Sequence, residues 1–511
     1  KLTRGGEMTA RSLRHPAEVE AKLRRSVAAT STLLFLVELA REKGEQMYLV
    51  GGFLRDAFLG RPIKEIDLVA FHAAELAATC ARERGARLVE IDRKFGTIRL
   101  IPPEGEDGAG IESIDLSPLR GKSILDDLRG RDFTVNAVAV DLVVWRNTER
   151  LDLIDPLGGL DDLRSGLLRV CTPRSFMEDP LRILRAYRFL ANYELTLDSS
   201  TRTWIRERGR NLAQVAVERV RDELCLILEC PRSAPMVKML EQDGLTGVVL
   251  PECEPMRGFQ QGQYHHLDVW AHSLGTLEAL EDLLAHPDML LPDSVNEIRA
   301  VLGERLAGER TRQGMLKLAA LLHDMGKPDT WTVDERGAVH FYGHEVAGAR
   351  LAASLCGRLR FSNREIHELT DLVRQHMRVL HLLHLDRPSP RALSRFFRLG
   401  PDLFWPLLLL SAADYRAALG PLSSGGDMTA LGQQMDRWLA FYRRELEPRV
   451  AMPPLINGHD LMTHLDLSPG PLVGRLLKAV SELQWEGRLL SRGDALDAAS
   501  RCLEAWRGRL R

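Results

Sequence analysis

The stretch YLVGGFLRDAFLGRPIKEIDLV, residues 48–69, decides the fold of the N-terminal part of the chain. YLV reads as the end of a strand, Gly51 and Gly52 as a turn, FLRDAFLG as a short helix, and KEIDLV as a second strand. Residues i and i+2 of a strand face the same side, so Glu65 and Asp67 share one face. Carboxylates so placed repel each other unless water or a cation lies between them. A solvated edge strand and a divalent-metal site both meet that condition. The glycines let backbone N–H groups approach a phosphate near a helix N-terminus; a plain tight turn would use the same residues. Arg55 would add a positive charge for a triphosphate. The spacing sets a candidate phosphate site beside a candidate metal site, the adjacency that two-metal phosphoryl transfer needs. Such a site calls for a third carboxylate on a neighbouring strand. GIESIDLSPLRG (110–121) offers Glu112 and Asp115, which face opposite sides of a regular strand, so only one can serve.

Working outward, MYLVGG, EIDLVAF, RLVEID, GTIRLI, IESIDL, NAVAVDLVV and RLDLID read as short strands, with AAELAATCARERG a helix between them. Residues 1–174 are therefore expected to form an α/β head with a mixed sheet, which opens with one amphipathic helix over Val19–Lys43. From Ser175 onward strand signals nearly vanish, and Leu and Ala recur at helical spacing. The expected architecture is this head followed by an all-α body: a helical neck over 175–255, a second region over 256–420 and a tail over 421–511. Gly, Pro and Ser cluster at the breaks PECEPMRGFQQGQ (251–263) and GPLSSGGD (420–427).

The net charge of −2 over 511 residues neither favours nor excludes a nucleic-acid partner. Locally, residues 164–210 hold ten Arg, no Lys and five acids, which suits either a phosphate-binding face or a solvated helical one. Seven scattered cysteines form no CxxC, which points to a reducing compartment and away from structural zinc. No apolar run is long enough to cross a membrane and no signal-peptide pattern opens the chain, so a cytoplasmic protein is expected.

The motifs, in order, resemble those of the class II tRNA nucleotidyltransferases and the bacterial poly(A) polymerases, and the resemblance runs over nearly the whole chain. GGFLRDAFLGRPIKEIDL looks like the family's GGxxRDxxxGxxxxDxD, and RKFGTIRL (93–100) like its next strand. DLRGRDFTVNAVA (127–139) is similar to DLxRRDFTINAMA, followed by IDPLGGLDDL (154–163) and EDPLRILRAYRF (178–189). The resemblance implies addition of CMP and/or AMP to tRNA 3′ ends from CTP and ATP, with Mg²⁺ held by Glu65 and Asp67. It implies that Gly51, Gly52 and Arg55 meet the triphosphate and that Asp115 is the third carboxylate. Arg131 and Asn136 would line the nucleotide site. There are departures: Glu65 stands where the family has Asp, and Gly130 where it commonly has Arg. An RNA poly(A) polymerase and a non-catalytic RNA-binding protein with a decayed head are the alternatives.

In SFMEDPLRILRAYRFL, a Ser175–Glu178 capping box would start a helix, or Asp179 would cap one opening with Pro180. Asp179 and Arg182 at i,i+3 could be an ordinary ion pair. By resemblance they are a protein template whose side chains imitate a base-pairing edge, with Arg185 and Arg188 supporting the nucleotide. Ser175 and Met177 stand where poly(A)-type relatives often carry RxR, which favours tRNA end addition. CCA-adding relatives usually carry a longer flexible loop where this chain has only LSPLRGKSILD, which implies an enzyme that stops after CC or adds A poorly.

A second constellation lies in the body. His272, the adjacent His323 and Asp324 in LAALLHDMGKP, His344, His376 and Asp414 all fall in helical sequence and offer imidazole and carboxylate ligands to a metal. The pattern resembles the HD phosphohydrolase domain, and the extra histidines suit its two-metal variant. A divalent transition metal and a second, phosphohydrolase activity are expected there.

Overall fold

The computed structural model describes residues 13–92, 96–103, 110–261, 267–385, 387–419, 428–450 and 452–508. They divide into two units, Lys1–Cys230 with Met239–Val249, and Pro231–Lys238 with Leu250–Arg511. The expected break at 420–427 lies outside the described residues, as do Arg93, Lys94 and Phe95 of the RKFGTIRL motif.

In the first unit, helices α1 (Pro16–Ala29) and α2 (Ser31–Glu42) precede strand β1 (Met47–Val50). The single helix expected over Val19–Lys43 is broken at Thr30, a buried β-branched residue in extended conformation (φ −112°, ψ 97°). The break lets both pieces bury an apolar face, Leu23 and Val27 on one, Leu33, Leu36 and Val37 on the other. Helix α3 (Gly52–Phe58), β2 (Glu65–Ala70), α4 (Ala73–Arg84), β3 (Arg87–Asp92), β4 (Thr97–Ile101), β5 (Ser113–Pro118), α5 (Ile124–Arg129), β6 (Ala139–Asp141), α6 (Leu142–Thr148) and β7 (Leu153–Ile154) follow. The strands form one sheet in the order β3-β4-β5-β2-β1-β6-β7, in which β2 and β5 are parallel and the other neighbours antiparallel. This is the expected mixed sheet. NAVAVDLVV is only partly strand: the Asp141 carboxylate accepts the N–H groups of Val143 and Val144, both at 3.0 Å, and so caps α6 and ends β6. Helices α7 (Gly159–Arg164), α8 (Ser175–Glu178) and α9 (Arg182–Tyr193) lead into the neck.

In the second unit the helices Val269–Ala285, Arg312–Leu322, His344–Arg358, Asn363–Gln375 and Pro401–Ala418 pack on one another. Tail helices Gly458–Leu465, Pro471–Trp485 and Arg492–Gly508 share a core of Leu461, Leu476, Val480 and Ala499. Short strand pairs beyond Ser175, such as Arg305–Ala307 with Arg310–Thr311 and Thr332–Val333 with Val339–His340, are departures from an all-α body. They are too short to display a period-2 pattern.

Candidate active sites

The head site is built by sheet register. Asp67 on β2 pairs with Asp115 on β5, Arg99 on β4 pairs with Asp115 on its other side, and Val50 pairs with Asp67. Glu65, two residues before Asp67, shares its face. Asp115 is thus the carboxylate beside Asp67. Glu112 precedes β5 and its side chain turns to Lys64 Nζ at 2.7 Å. Burial pushes the Asp67 carboxyl above the ordinary range and the charge of Asp115 adds to this, against the pull of Arg131 and the Gly52 N–H. Glu65 is raised too, by burial and then by Asp115 and Asp67, with Arg99 opposing. Such mutual repulsion is what a divalent cation relieves, and an all-oxygen donor set suits Mg²⁺.

Arg99, not singled out in the sequence, grips Asp115 through Nε and Nη2 at 2.7 and 2.8 Å and reaches Glu65 at 3.3 Å. Its place in the TIRLI run, the one charged residue of that strand, was the available signal.

The double glycine is required by space. Gly51 has φ +71°, and a Cβ there would stand 3.2 Å from Asp67 Oδ2 and 3.3 Å from Arg131 Nη1. Arg55 is buried rather than free: Asp56 holds it from two sides at 3.0 and 2.8 Å, and Nη1 donates to Asn136 Oδ1 at 2.6 Å. Its guanidinium also lies 4.2 Å from the centroid of Tyr193. Asn136 in turn donates to Asp132 at 3.0 Å, and Asp132 accepts Arg185 Nη2 at 2.7 Å. Burial works to raise Asp132, but Arg185 and Asn136 prevail and hold it well below the usual carboxylate range. Arg188 donates to buried Glu223 at 2.9 Å, and Arg185 lies 3.6 Å from the same carboxylate. Asp132 and Glu223, which position three of the expected nucleotide-site residues, went unread in the sequence.

The two expectations for Ser175–Leu190 need correction. Ser175 does not cap: it is the first residue of α8, and its hydroxyl donates to the Arg131 carbonyl at 3.3 Å. Asp179 is extended (φ −145°, ψ 96°) and separates α8 from α9, so residues 179 and 182 do not share a continuous helix. Asp179 accordingly pairs with Arg219 at 2.8 Å, and Arg182 donates to the Gly130 carbonyl at 2.8 Å. The i,i+3 ion pair does not form. Asp179 does accept the Leu181 N–H at 3.3 Å, as a residue ahead of a helix start would.

The second site gathers all six expected residues into two groups, His272–His323–Asp414 and Asp324–His344–His376, each with ligand atoms within 4.8 Å of one another. Asp324 joins them. Its Oδ2 lies 3.2 Å from His323 Nε2, and its Oδ1 3.4 and 3.7 Å from the Nε2 atoms of His344 and His376. His272 Nε2 lies 2.8 Å from Asp414 Oδ1. In three of the histidines Nδ1 bonds a carbonyl three residues back: His323 to Ala320 at 3.0 Å, His344 to Phe341 at 2.8 Å and His376 to Val373 at 2.7 Å. Nδ1 therefore carries a proton and Nε2 faces the centre, where a divalent ion would meet its lone pair; burial works to lower the His323 ring, but Asp324 prevails and raises it. Among the described residues His323 Nε2 is buried with no well-aligned hydrogen bond, although the Asp324 carboxylate lies 3.2 Å away. A buried orphan nitrogen among carboxylates and imidazoles fits a divalent ion. Burial, then the neighbouring His323 and His344, push His376 down to about 4, so it is neutral at physiological pH. Burial would raise Asp324, but His323 and Lys327 outweigh it and hold the group ionised. Lys327, also missed, reaches Asp324 Oδ2 at 2.6 Å and donates to Gln261 at 2.6 Å.

The family model "Poly A polymerase head domain" matches residues 47–169. "Probable RNA and SrmB- binding site of polymerase A" matches 194–256 and "HD domain" matches 269–399. The chain is 35% identical over 448 residues to an A-adding tRNA nucleotidyltransferase of Deinococcus radiodurans, covering 86% of this chain and 92% of that one. It is 34% identical over 468 residues to a CC-adding tRNA nucleotidyltransferase of Thermus thermophilus, covering 90% of this chain and 93% of that one. A Thermotoga maritima CCA-adding enzyme solved with tRNA shares the fold, with a TM-score of 0.59 at 20% identity over 96% of this chain and 100% of that one. Among the described residues no helix is long and apolar enough to cross a membrane.

Proposed function

Because the chain belongs to the tRNA nucleotidyltransferase and poly(A) polymerase family, we propose that its head adds CMP and/or AMP to tRNA 3′ ends from CTP and ATP without a nucleic-acid template. The observation that carries this reading is the register of Asp67 against Asp115 beside the Gly51–Gly52 turn. Asp67, Asp115 and Glu65 would hold Mg²⁺, which when bound activates the attacking hydroxyl and steadies the leaving pyrophosphate. Arg131 and the N–H groups at the start of α3 would orient the triphosphate. Asp179 and Arg182 would read the base, each held in place by a partner other than its mate. Arg55, braced by Asp56 and Asn136, would support this wall of the site. CTP and ATP supplied separately to a trimmed tRNA, with sequencing of the product ends, test the proposal. Long A tails would assign a poly(A) polymerase, and no addition would assign a binding protein.

A narrower reading has its own support. The link after β5 has little slack: Ser123 caps α5, and Asp127 accepts the Arg120 N–H at 3.3 Å and Arg131 Nε at 3.0 Å. Switching one base-reading pair from C to A needs a movable element, and this segment is tied at both ends. We propose that the enzyme performs one part of the CCA sequence, stopping after CC. Complete CCA addition by this protein alone would refute that reading. In the second unit, the six-residue centre would hold two divalent transition metals and hydrolyse a phosphoester, with metal-activated water as the nucleophile.

A further inference from the structure

A cleft of about 760 Å³ in the second unit is lined by more positive than negative side chains. Lys478, Glu482 and Trp485 line it from one face of the helix Pro471–Trp485, at i, i+4 and i+7. Arg395 and Arg398 come from the helix Pro390–Phe397 and its C-terminal end, and Arg378 from the helix Met377–Leu383. Four cations thus face one carboxylate. That carboxylate, Glu482, lies 3.6 Å from Arg398 Nη1, beyond hydrogen-bond range, and Nη1 is buried with no acceptor among the described residues. Burial, then the neighbouring charges of Arg395 and Arg398, lower the pKa of Arg378. Held together, like charges cost free energy that a polyanion would recover.

We propose that this cleft is an RNA-binding site, in which the arginines and Lys478 hold backbone phosphates and Trp485 offers a face for a base. Guanidinium forks match phosphate oxygens, and the orphan Nη1 of Arg398 supplies a donor already desolvated. An aromatic among cations is the pattern of nucleic-acid grooves, where a base stacks while the backbone is neutralised. An acidic protein would use the charges but would give the indole no such role. The proposal rests on the reading that the substrate is RNA, and it assigns part of the grip on RNA to the second unit.

The experiment measures the affinity of a trimmed tRNA transcript for the full chain over a salt series. R395E/K478E should weaken binding by about tenfold or more and reduce the slope of log affinity against log salt by about 2, one for each phosphate no longer neutralised. The neutral R395Q/K478Q should lose less affinity, with the same change in slope. Trp485→Ala should lower affinity and leave the slope unaltered. Wild-type affinity and slope in R395Q/K478Q, with an unchanged melting temperature, would overturn the proposal. So would retained RNA binding together with lost binding of poly-glutamate, which would assign the cleft to an acidic protein. Absence of nucleotide addition by the wild type would sink the proposed function of the head and leave the binding result standing.

Discussion

Replacing Gly326 with alanine should disable the imidazole–carboxylate centre without touching the head. Gly326 lies in the turn after His323 and Asp324, and a Cβ there would stand 2.2 Å from the His344 carbonyl oxygen and 2.5 Å from the Gly348 nitrogen. Both obstacles are backbone, so no side chain can swing aside. The turn and the helix His344–Arg358 must separate by about 1 Å to reach ordinary contact distance. They carry ligands of the same centre, and metal–ligand distances tolerate only about 0.2 Å. Metal affinity should fall by about 10- to 100-fold, the scale of losing a supporting partner. Overpacking of this kind costs about 1–3 kcal/mol of stability, so the second unit should melt earlier yet still fold. Gly357→Ala, on the same helix with no atom within 4 Å of the added Cβ, is the control; it should stabilise by about 0.5–1 kcal/mol. The assay is a calorimetric metal titration of chelator-treated protein, alongside thermal melting and CTP addition to trimmed tRNA. Unchanged metal affinity in Gly326→Ala would refute the reasoning, because it would mean that the close backbone approach does not set the ligand spacing.

Asp67→Asn should abolish nucleotide addition and leave the melting temperature of the head near wild type, since the amide has the shape of the carboxylate without its charge; retained Mg²⁺-dependent transfer would remove Asp67 from the metal site. Arg182→Ala should admit UTP and GTP, because a hydrogen-bonding site rejects a wrong partner by up to about 10⁴, and half of its edge is gone. It also frees the Gly130 carbonyl, so continued exclusion of UTP and GTP would show that Arg182 only ties down the turn before Arg131. The pH prediction concerns His376, which sits near 4 when folded against an ordinary value of 6.5. Between those values the unfolded chain binds a proton that the folded one does not. This contribution to stability is complete above pH 6.5 and is lost as pH falls toward 4, at about 1.4 kcal/mol per pH unit. Metal-free protein should therefore show a steeper acid loss of stability than His376→Asn, and equal slopes would contradict the assignment.

Much of the site was legible because its residues come in short sequence windows. Glu65 and Asp67 share a strand face by the period of the strand, and His323 and Asp324 are neighbours. Tertiary partners were harder to see. Asp132 lies 53 positions from Arg185, and Glu223 lies 35 from Arg188; nothing local in the sequence links either pair. The Asp179–Arg182 spacing allowed an i,i+3 ion pair only within an unbroken helix, and the extended Asp179 interrupts it and hands each side chain to another partner. Thr30 misled in the same way, a polar position inside an apolar periodicity that continues on both sides of a break.

The carbonyl bonds of His323, His344 and His376 would separate two kinds of control over a bound ion. Each ring is aimed within three residues of its own backbone, so its direction persists as long as that one turn does. The distance between rings belongs to another scale, the packing of the helices Arg312–Leu322, His344–Arg358 and Asn363–Gln375, where Gly326 and Gly348 bring backbones together. A mutation that loosens this packing will spread the rings without turning them. The centre would then keep its donor atoms and its protonation state but prefer ions of larger radius. If the centre holds a divalent ion, its selectivity for ionic radius would be stored in small residues that do not touch the ion, and it would drift while every ligand stayed in place.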